Sequence, residues 1–311
     1  MNAIRSILLT TDLTPLSDHA FERALRLARP GSALTILHTV EGDPHAVGAD
    51  EECRVAEERL NALLKAHDAG GRHAAFRVRA GDPADEIVSQ TRQRDADLVV
   101  LGVHRKSLLG DLFGKTTAEQ VVAAAVAPVL TVKEPAADDY RAVMVGTDGS
   151  EASGRALGMA LDAFPDARFM VVQAFHVPFG AFLDTPQNRR DFANQRRAEM
   201  EAVVWREVER RADRPDLDRR IERRLVEGET TQALLAEIAR TRPDLLVIGT
   251  SGGGGGVFGN VAKTLSMNPP CDLLVVPAAG RSVRVMVGGR PGGRAARRRS
   301  SPDAAPPGRS R

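Results

Sequence analysis

The sequence predicts an α/β protein with two tandem, open parallel-sheet domains of the Rossmann-like type, followed by a disordered basic tail. Short apolar runs alternate with amphipathic segments of helical length, which favours strands buried on both faces and joined by crossover helices. The same alternation begins again in the second half of the chain. With 311 residues, the chain is long enough for two domains of roughly 130–150 residues each.

Five strands and four helices are predicted in the first half. Pro15 favours a helix start, and Gly70 with Gly71 favours a helix end. The predicted strands are 4–9, 33–40, 74–78, 97–101 and 129–132, and the predicted helices are 16–28, 50–69, 84–93 and 116–125.

The second half repeats this series. Its predicted strands are 142–145, 169–175, 221–226, 245–248 and 272–276, and its helices are one ending near 163, 188–212, 231–240 and 261–266. Asp12 corresponds to Asp148 at an offset of 136, and Gly102 corresponds to Gly249 at an offset of 147. The change in offset indicates an insertion before Gly228, most easily within 177–188. A duplicated β-α unit is the simplest explanation.

The domain boundaries follow from this repeat. The first domain is predicted at 1–134, a short linker at 135–140, the second domain at 141–279 and the tail at 280–311. The tail holds nine arginines and one acid, so it carries +8, whereas the remaining chain carries −6. The acidic body argues against a nucleic-acid-binding protein, and any contact with nucleic acid is expected to involve the tail alone.

Several classes of protein are disfavoured by composition. The longest apolar run, 121–132, is interrupted by Pro128 and is too short to span a bilayer. No signal-peptide pattern follows the first residue, and Cys53 and Cys271 lack metal-ligand spacing. We therefore expect a cytoplasmic protein with no membrane segment and no metal site.

A glycine-rich stretch, 249–259, joins the predicted strand 245–248 to a predicted helix. Bare backbone at such a turn approaches a ligand closely, and the free N–H groups of the following helix favour an anion, most often a phosphate. A surface loop without a ligand is the alternative.

The predicted topology places two aspartates beside such turns. Ligands of open parallel sheets bind beyond the carboxyl ends of the strands, where the strand order reverses. If the first and fourth strands of each half are neighbours at that reversal, Asp12 and the turn after Gly102 share one crevice, and Asp148 and the glycine-rich stretch share another. Both aspartates could instead terminate strands or cap helices.

Three catalytic or nucleotide motifs are incomplete. Gly114-Lys115-Thr116 lacks the leading glycine of a P-loop, because position 109 is leucine. Gly249-Thr250-Ser251-Gly252-Gly253 matches a nucleophile elbow, but no histidine follows Ser251. No G-x-G-x-x-G follows the first strand of either half. We therefore predict no catalytic residues.

The segments Val145–Ser150 and Pro270–Val276, together with the repeat, resemble the universal stress protein family in a tandem two-domain arrangement. This resemblance implies an adenine-nucleotide alpha-hydrolase-like fold and ATP as ligand. It also implies that an aspartate after the first strand contacts adenine or ribose. A loop of the form G-x-x-G, nine residues, then G-[S/T] would hold the phosphates.

The first domain departs from that loop. Arg105 and Lys115 stand where ATP-binding members have glycine, which leaves Asp12, Gly102 and Thr116 as its matches. A side chain at either place crowds a phosphate that should lie on bare backbone. The resemblance therefore implies a structural role for this domain.

The second domain fits better. Gly249, Gly252 and Gly259 match, Asn260 replaces the hydroxyl residue, and Val261 follows, although the spacer has six residues instead of nine. We expect an adenine nucleotide here, contacted by Asp148, in a stress-response protein that is not an enzyme. The alternatives are a scaffold whose halves dock as a pseudo-dimer through the fifth strands, with homodimer or protein partners, and a slow ATPase or autophosphorylating protein.

Overall fold

The computed structural model describes residues 4–14, 17–66, 74–103, 115–124, 126–176, 185–250 and 260–278. The predicted tail, most of the glycine-rich stretch including Gly252 and Gly259, and Arg105 of the first loop lie outside the described residues.

The predicted alternation of strands and helices is confirmed in both halves. The elements of the first half are β1 Ser6–Thr10, α1 Ser17–Leu27, β2 Ala33–Val40, α2 Ala49–Ala66, β3 Ala74–Ala80, α3 Pro83–Gln93, β4 Leu98–Gly102, α4 Thr117–Ala124 and β5 Val129–Val132. Those of the second half are β6 Ala142–Thr147, α5 Glu151–Ala163, β7 Arg168–Phe175, α6 Pro186–Glu209, β8 Ile221–Glu227, α7 Thr230–Thr241, β9 Leu245–Gly249, α8 Asn260–Met267 and β10 Asp272–Val276.

The strands form one continuous ten-stranded sheet in the order β3-β2-β1-β4-β5-β10-β9-β6-β7-β8. All neighbouring pairs are parallel except β5 and β10, which run antiparallel with Leu130 opposite Leu274. The two predicted sheets are therefore joined edge to edge. The scaffold alternative predicted docking through the fifth strands, and the pairing of β5 with β10 confirms that part of it.

Helices cover both faces of this sheet, as its apolar strands require. One core cluster packs α1, α2, α5 and α6 against the sheet, and a second cluster packs α3, α4, α7 and α8 against the other face. Among the described residues, no helix combines the length and apolar character that crossing a bilayer demands.

Backbone hydrogen bonds reproduce the duplication in detail. The carboxylate of Asp97 accepts from two consecutive N–H groups at the start of β1, at 2.9 and 3.0 Å. The carboxylate of Asp244 accepts from the two equivalent N–H groups at the start of β6, both at 2.8 Å. The same tie between the first and fourth strands of each half supports the sequence repeat.

The predicted linker, 135–140, is packed against both halves by a buried carboxylate. Asp272, which is 0% exposed at the start of β10, accepts a hydrogen bond from the Tyr140 hydroxyl at 2.5 Å. Arg23 of α1 lies 3.7 Å from the same carboxylate and 3.9 Å from the Tyr140 ring centre. The backbone N–H groups of Lys133 and Glu134 donate to its other oxygen at 2.8 and 3.0 Å. This cluster fixes the first domain to the second.

Candidate functional site

The turn after β6 is held by short-range hydrogen bonds. The hydroxyls of Thr147 and Ser153 lie 2.9 Å apart, and the Gly149 N–H donates to Thr147 Oγ1 at 3.2 Å. Gly149 has φ +82°, which glycine adopts without strain. Ser150 begins α5 as its N-cap and accepts from the Ser153 N–H at 3.2 Å. The turn therefore leaves Asp148 at the surface with a fixed backbone.

Asp148 presents an ionised carboxylate at this turn. Its Oδ1 accepts from the Ser150 N–H at 3.0 Å. Partial burial raises the pKa of this carboxyl, but hydrogen bonds from Ser150 and Ser153 oppose burial, and the net pKa is below the ordinary value. A carboxylate has about four acceptor positions, so the exposed group can accept further hydrogen bonds from a ligand hydroxyl or amine.

Gly249 is brought beside the Asp148 turn by strand pairing. Strands β6 and β9 are parallel neighbours with Gly146 opposite Ile248, so both strands end at the same edge of the sheet. A Cβ on Gly249 would lie 2.6 Å from the carbonyl oxygen of Ala152 in the first turn of α5. The missing side chain thus lets α5 approach the end of β9, independently of any ligand.

Helix α8 begins directly after the glycine-rich stretch, at Asn260. The Asn260 side chain lies outside the described part of the chain. Val261 is partly buried and packs against the second core cluster, so it can offer a ligand only its backbone. Lys263 is exposed in the first turn, where its charge adds to the positive end of the helix.

Helix α6 adds two residues that the sequence reasoning missed. A Cβ on Gly149 would lie 3.1 Å from the Cβ of Glu199, which places Glu199 against the Asp148 turn. Arg196 donates to Glu199 at 2.7 Å. No local signal could have found this pair, because the contact depends on where the long helix packs.

In the first domain, a cavity of about 160 Å³ lies at the carboxyl ends of β1, β2 and β4. The predicted residues Asp12, Gly102 and Thr116 all line it. Strands β1 and β4 are neighbours, so the expectation that these turns share a crevice is confirmed.

The start of α4 is closed by its own side chains. The Thr116 N–H donates to the Glu119 carboxylate at 2.8 Å, and the Glu119 N–H donates to the Thr116 hydroxyl at 3.1 Å. This is a reciprocal capping box, for which the T-x-x-E sequence was an available signal. The predicted ligand contact Thr116 is therefore engaged as a helix cap, with a buried carboxylate beside it.

The two helices that follow the fourth strands thus differ in charge. At the offset of 144 that relates Val132 to Val276, Glu119 of α4 corresponds to Lys263 of α8. The Glu119 carboxylate accepts from the Thr116 N–H just before α4, whereas the cation Lys263 lies in the first turn of α8. A phosphate is disfavoured at the first position and favoured at the second.

Cys271 lies just before β10, at the end of the sheet opposite Gly249, because Asp272 pairs with Leu245 at the start of β9. Burial, aided by the neighbouring Asp272, raises the pKa of Cys271 to about 12, so this thiol stays protonated near neutral pH. Within the described ranges, no group of three or more His, Cys, Asp or Glu side chains is placed to hold a metal ion.

Residues 3–133 and 139–277 each match the model of the universal stress protein family. A universal stress protein of Methanocaldococcus jannaschii is 28% identical over 145 residues, which cover 43% of this chain and 85% of that protein. Universal stress protein G of Salmonella typhimurium is 30% identical over 141 residues, which cover 42% of this chain and 99% of that protein.

Solved structures share the tandem fold. A universal stress protein from Archaeoglobus fulgidus superposes with a TM-score of 0.63 at 18% identity, over 88% of this chain and 98% of that one. A protein of unknown function from Pseudomonas aeruginosa superposes with a TM-score of 0.60 at 17% identity, over 89% of this chain and 93% of that one. With family matches covering both halves, the chain belongs to the universal stress protein family.

Proposed function

We propose that this chain is a cytoplasmic stress-response protein that binds ATP or a related adenine nucleotide in its second domain. The observation that carries the proposal is the pairing of β6 with β9, which sets Gly249 beside the Asp148 turn; in the sequence, the glycine-rich stretch and then the positively charged start of α8 follow Gly249. Membership of the universal stress protein family supports the same function.

Each residue of this site has a distinct role in the proposal. Asp148 accepts hydrogen bonds from the adenine or ribose. Gly249, Gly252 and Gly259 keep the backbone open to the phosphates, and Asn260 and Val261 contribute N–H groups at the start of α8.

Lys263 adds charge that the sequence reasoning did not use. Because it lies in the first turn of α8, its ammonium group reinforces the attraction of the helix start for phosphate. The role is one of binding, in which the nucleotide changes the surface that the protein presents to partners.

Equilibrium titration of the full chain with fluorescently labelled ATP tests the proposal. We expect saturable binding that Asp148→Ala weakens by about tenfold or more, because a hydrogen bond to a charged group contributes about 1.5–3 kcal/mol. Asp12→Ala is the matched control, since Asp12 occupies the equivalent turn, and it should leave ATP binding unchanged. Absence of saturation at millimolar ATP, or equal loss in both variants, would overturn the proposal.

A further inference from the structure

Ala278, the last described residue, lies at the edge of the sheet that holds the second-domain site. Strands β9 and β10 are parallel neighbours with Gly249 opposite Val276, so both end at the edge where β6 also ends. The Ala278 N–H donates to Thr250 Oγ1 at 2.9 Å, and the Thr250 N–H donates to the Val276 carbonyl oxygen at 2.9 Å. These two hydrogen bonds fix the point from which residues 279–311 continue, beside the start of the glycine-rich stretch.

Covalent connection to Ala278 keeps two arginines of the tail close to this site. Arg281 follows Ala278 by three residues, and Arg284 follows it by six. Because an extended chain spans at most about 3.6 Å per residue, the Cα of Arg281 can lie no further than about 11 Å from that of Ala278. Neighbouring strands are about 4.8 Å apart, so the end of β6, two strands from β10, is only about 10 Å from the end of β10. The long side chain of Arg281 can therefore reach the second-domain site.

The second-domain site has little positive charge of its own. Residues 249–262 include no charged residue, and Lys263, in the first turn of α8, is the first cation after them. The Asp148 carboxylate in the neighbouring turn offsets that single charge. A nucleoside triphosphate carries several negative charges, and its phosphate oxygens bind most strongly to cationic hydrogen-bond donors. Further cations beside Gly249 would therefore strengthen the binding of a triphosphate.

The two halves of the chain differ in the charge that follows the fifth strand. At the offset of 144, residues 278–284 of the second half correspond to residues 134–140 of the first. The segment after β5 carries three acids and no base, whereas the segment after β10 carries two arginines and no acid. The contrast has the same sign as the one between Glu119 of α4 and Lys263 of α8. Both differences add positive charge on the side of the second-domain site.

Chain length favours Arg281 and Arg284 over the other seven arginines of the tail. The entropic cost of bringing a residue back to a fixed point rises with the number of residues between them. Arg309 and Arg311 follow Ala278 by 31 and 33 residues. A general attraction between the basic tail and an anion would involve all nine arginines alike. A comparison of the near pair with the far pair therefore separates a specific contact from a general attraction.

We propose that Arg281 and Arg284 bind the phosphates of the nucleotide held in the second domain. The inference rests on the proposed function and assigns to the chain's own tail the positive charge that residues 249–262 lack. A guanidinium group donates paired hydrogen bonds to phosphate oxygens, which gives these contacts both strength and direction. A triphosphate therefore draws the first residues of the tail onto the site, whereas a nucleoside without phosphate does not.

Equilibrium titration of the full chain with fluorescently labelled ATP, at one fixed salt concentration, tests this inference. The double variant Arg281→Gln with Arg284→Gln should bind ATP at least tenfold more weakly, because two charge-assisted contacts are lost. The double variant Arg309→Gln with Arg311→Gln removes the same charge from the same tail and should change the affinity by less than about twofold. Equal weakening in both double variants, or unchanged affinity in the first, would overturn the inference.

Chemical modification of arginine provides a second measurement on the full chain. Phenylglyoxal modifies accessible guanidinium groups, and mass spectrometry identifies the modified residues. ATP or inorganic tripolyphosphate at millimolar concentration should slow the modification of Arg281 and Arg284 several-fold and leave the rate at Arg309 and Arg311 unchanged. Adenosine, which has no phosphate, should protect neither pair. Equal protection of both pairs, or no protection of the near pair by ATP, would contradict the proposed contacts.

The inference and the proposed function fail in distinguishable ways. ATP binding that Asp148→Ala weakens, but that the Arg281 and Arg284 substitutions leave unchanged, supports the proposed function and refutes the role of the tail. Protection of Arg281 and Arg284 by tripolyphosphate, with ATP affinity unchanged in Asp148→Ala, supports the role of the tail and refutes that of Asp148. Absence of ATP binding together with absence of protection overturns both.

Discussion

Equivalent residues of the two halves share backbone geometry and differ in chemistry. Leu13 has φ +59° in the first turn, where the second turn has Gly149 at φ +82°. The leucine packs against the core, so burial compensates for a backbone conformation that glycine adopts more readily. Glu119 and Lys263 are also equivalent residues, at the starts of α4 and α8, and they carry opposite charges. The backbone framework was retained in both copies, while the charges at the two helix starts diverged.

Cys271 makes stability depend on pH. Its folded pKa of about 12 lies above the roughly 8.5 of an exposed thiol. Above pH ~8.5 the unfolded thiol releases its proton and the folded thiol keeps it, so stability falls as pH rises towards the folded pKa. Between pH 8 and 10 we expect the wild type to lose about 2 kcal/mol relative to Cys271→Ala, measured by urea unfolding.

The same comparison contains its own control. The stability lost by replacing the thiol with the smaller alanine side chain does not depend on pH. Only the change with pH in the difference between the two unfolding free energies therefore reports the titration of the thiol. A constant difference from pH 8 to 10 would show that Cys271 titrates alike in both states.

Helix caps and one close backbone contact fix the positions of the helices and strands around the Asp12 and Asp148 turns. Ser150 caps α5, the Thr116–Glu119 pair caps α4, and Gly249 allows α5 to lie against β9. Each of these contacts fixes the position of a turn or a helix start beside a candidate site. The elements therefore shape the sites through their ends more than through their exposed faces.

Two glycines near α5 should respond oppositely to alanine. Gly249→Ala places a Cβ 2.6 Å from the Ala152 carbonyl oxygen, and such overpacking costs about 1–3 kcal/mol. Gly154→Ala on α5 meets nothing closer than 3.7 Å, and alanine in a helix interior should stabilise by about 0.5–1 kcal/mol. Urea unfolding of both variants measures this, and destabilisation by both would contradict the described packing.

The strands and their alternation with helices in each half could be predicted from sequence, because strands buried on both faces form apolar runs that flanking glycines and prolines delimit. The observed helix ends differ from the predicted ones where a capping residue fixes the end of the helix. Helix α6, for example, begins at Pro186, since Thr185 accepts from the Asn188 N–H at 3.1 Å. The nearness of Asp148 to Gly249 followed from sheet topology alone. The Glu199 contact depends on tertiary packing and has no local signature.

At the scale of the whole molecule, one antiparallel strand pair and one buried carboxylate unite the halves. The seam of β5 and β10 is continuous with the parallel strands on either side. Asp272 ties the first helix, the linker and the last strand together. The sequence repeat could not single out this aspartate, because the equivalent position of the first half is Pro128.

Asp272→Ala should destabilise the chain by about 3–5 kcal/mol, since removal of one partner leaves the buried charge of Arg23 uncompensated. Denaturant unfolding of the full chain measures this change. The control is Glu51→Ala, which breaks an exposed pair with Arg54 and should shift stability by no more than about 1 kcal/mol. A similar small shift in both variants would show that the Asp272 cluster does not hold the halves together.

The seam also limits how copies of this protein can assemble. Each edge of a strand can pair with only one neighbouring strand. Strands β5 and β10 pair with each other within one chain, so neither has a free edge. Among the described strands, this leaves β3 and β8 as the sheet edges open to strand addition by a second chain. The latter carries Glu222, Arg223 and Arg224 in succession, a run of charge that discourages such pairing.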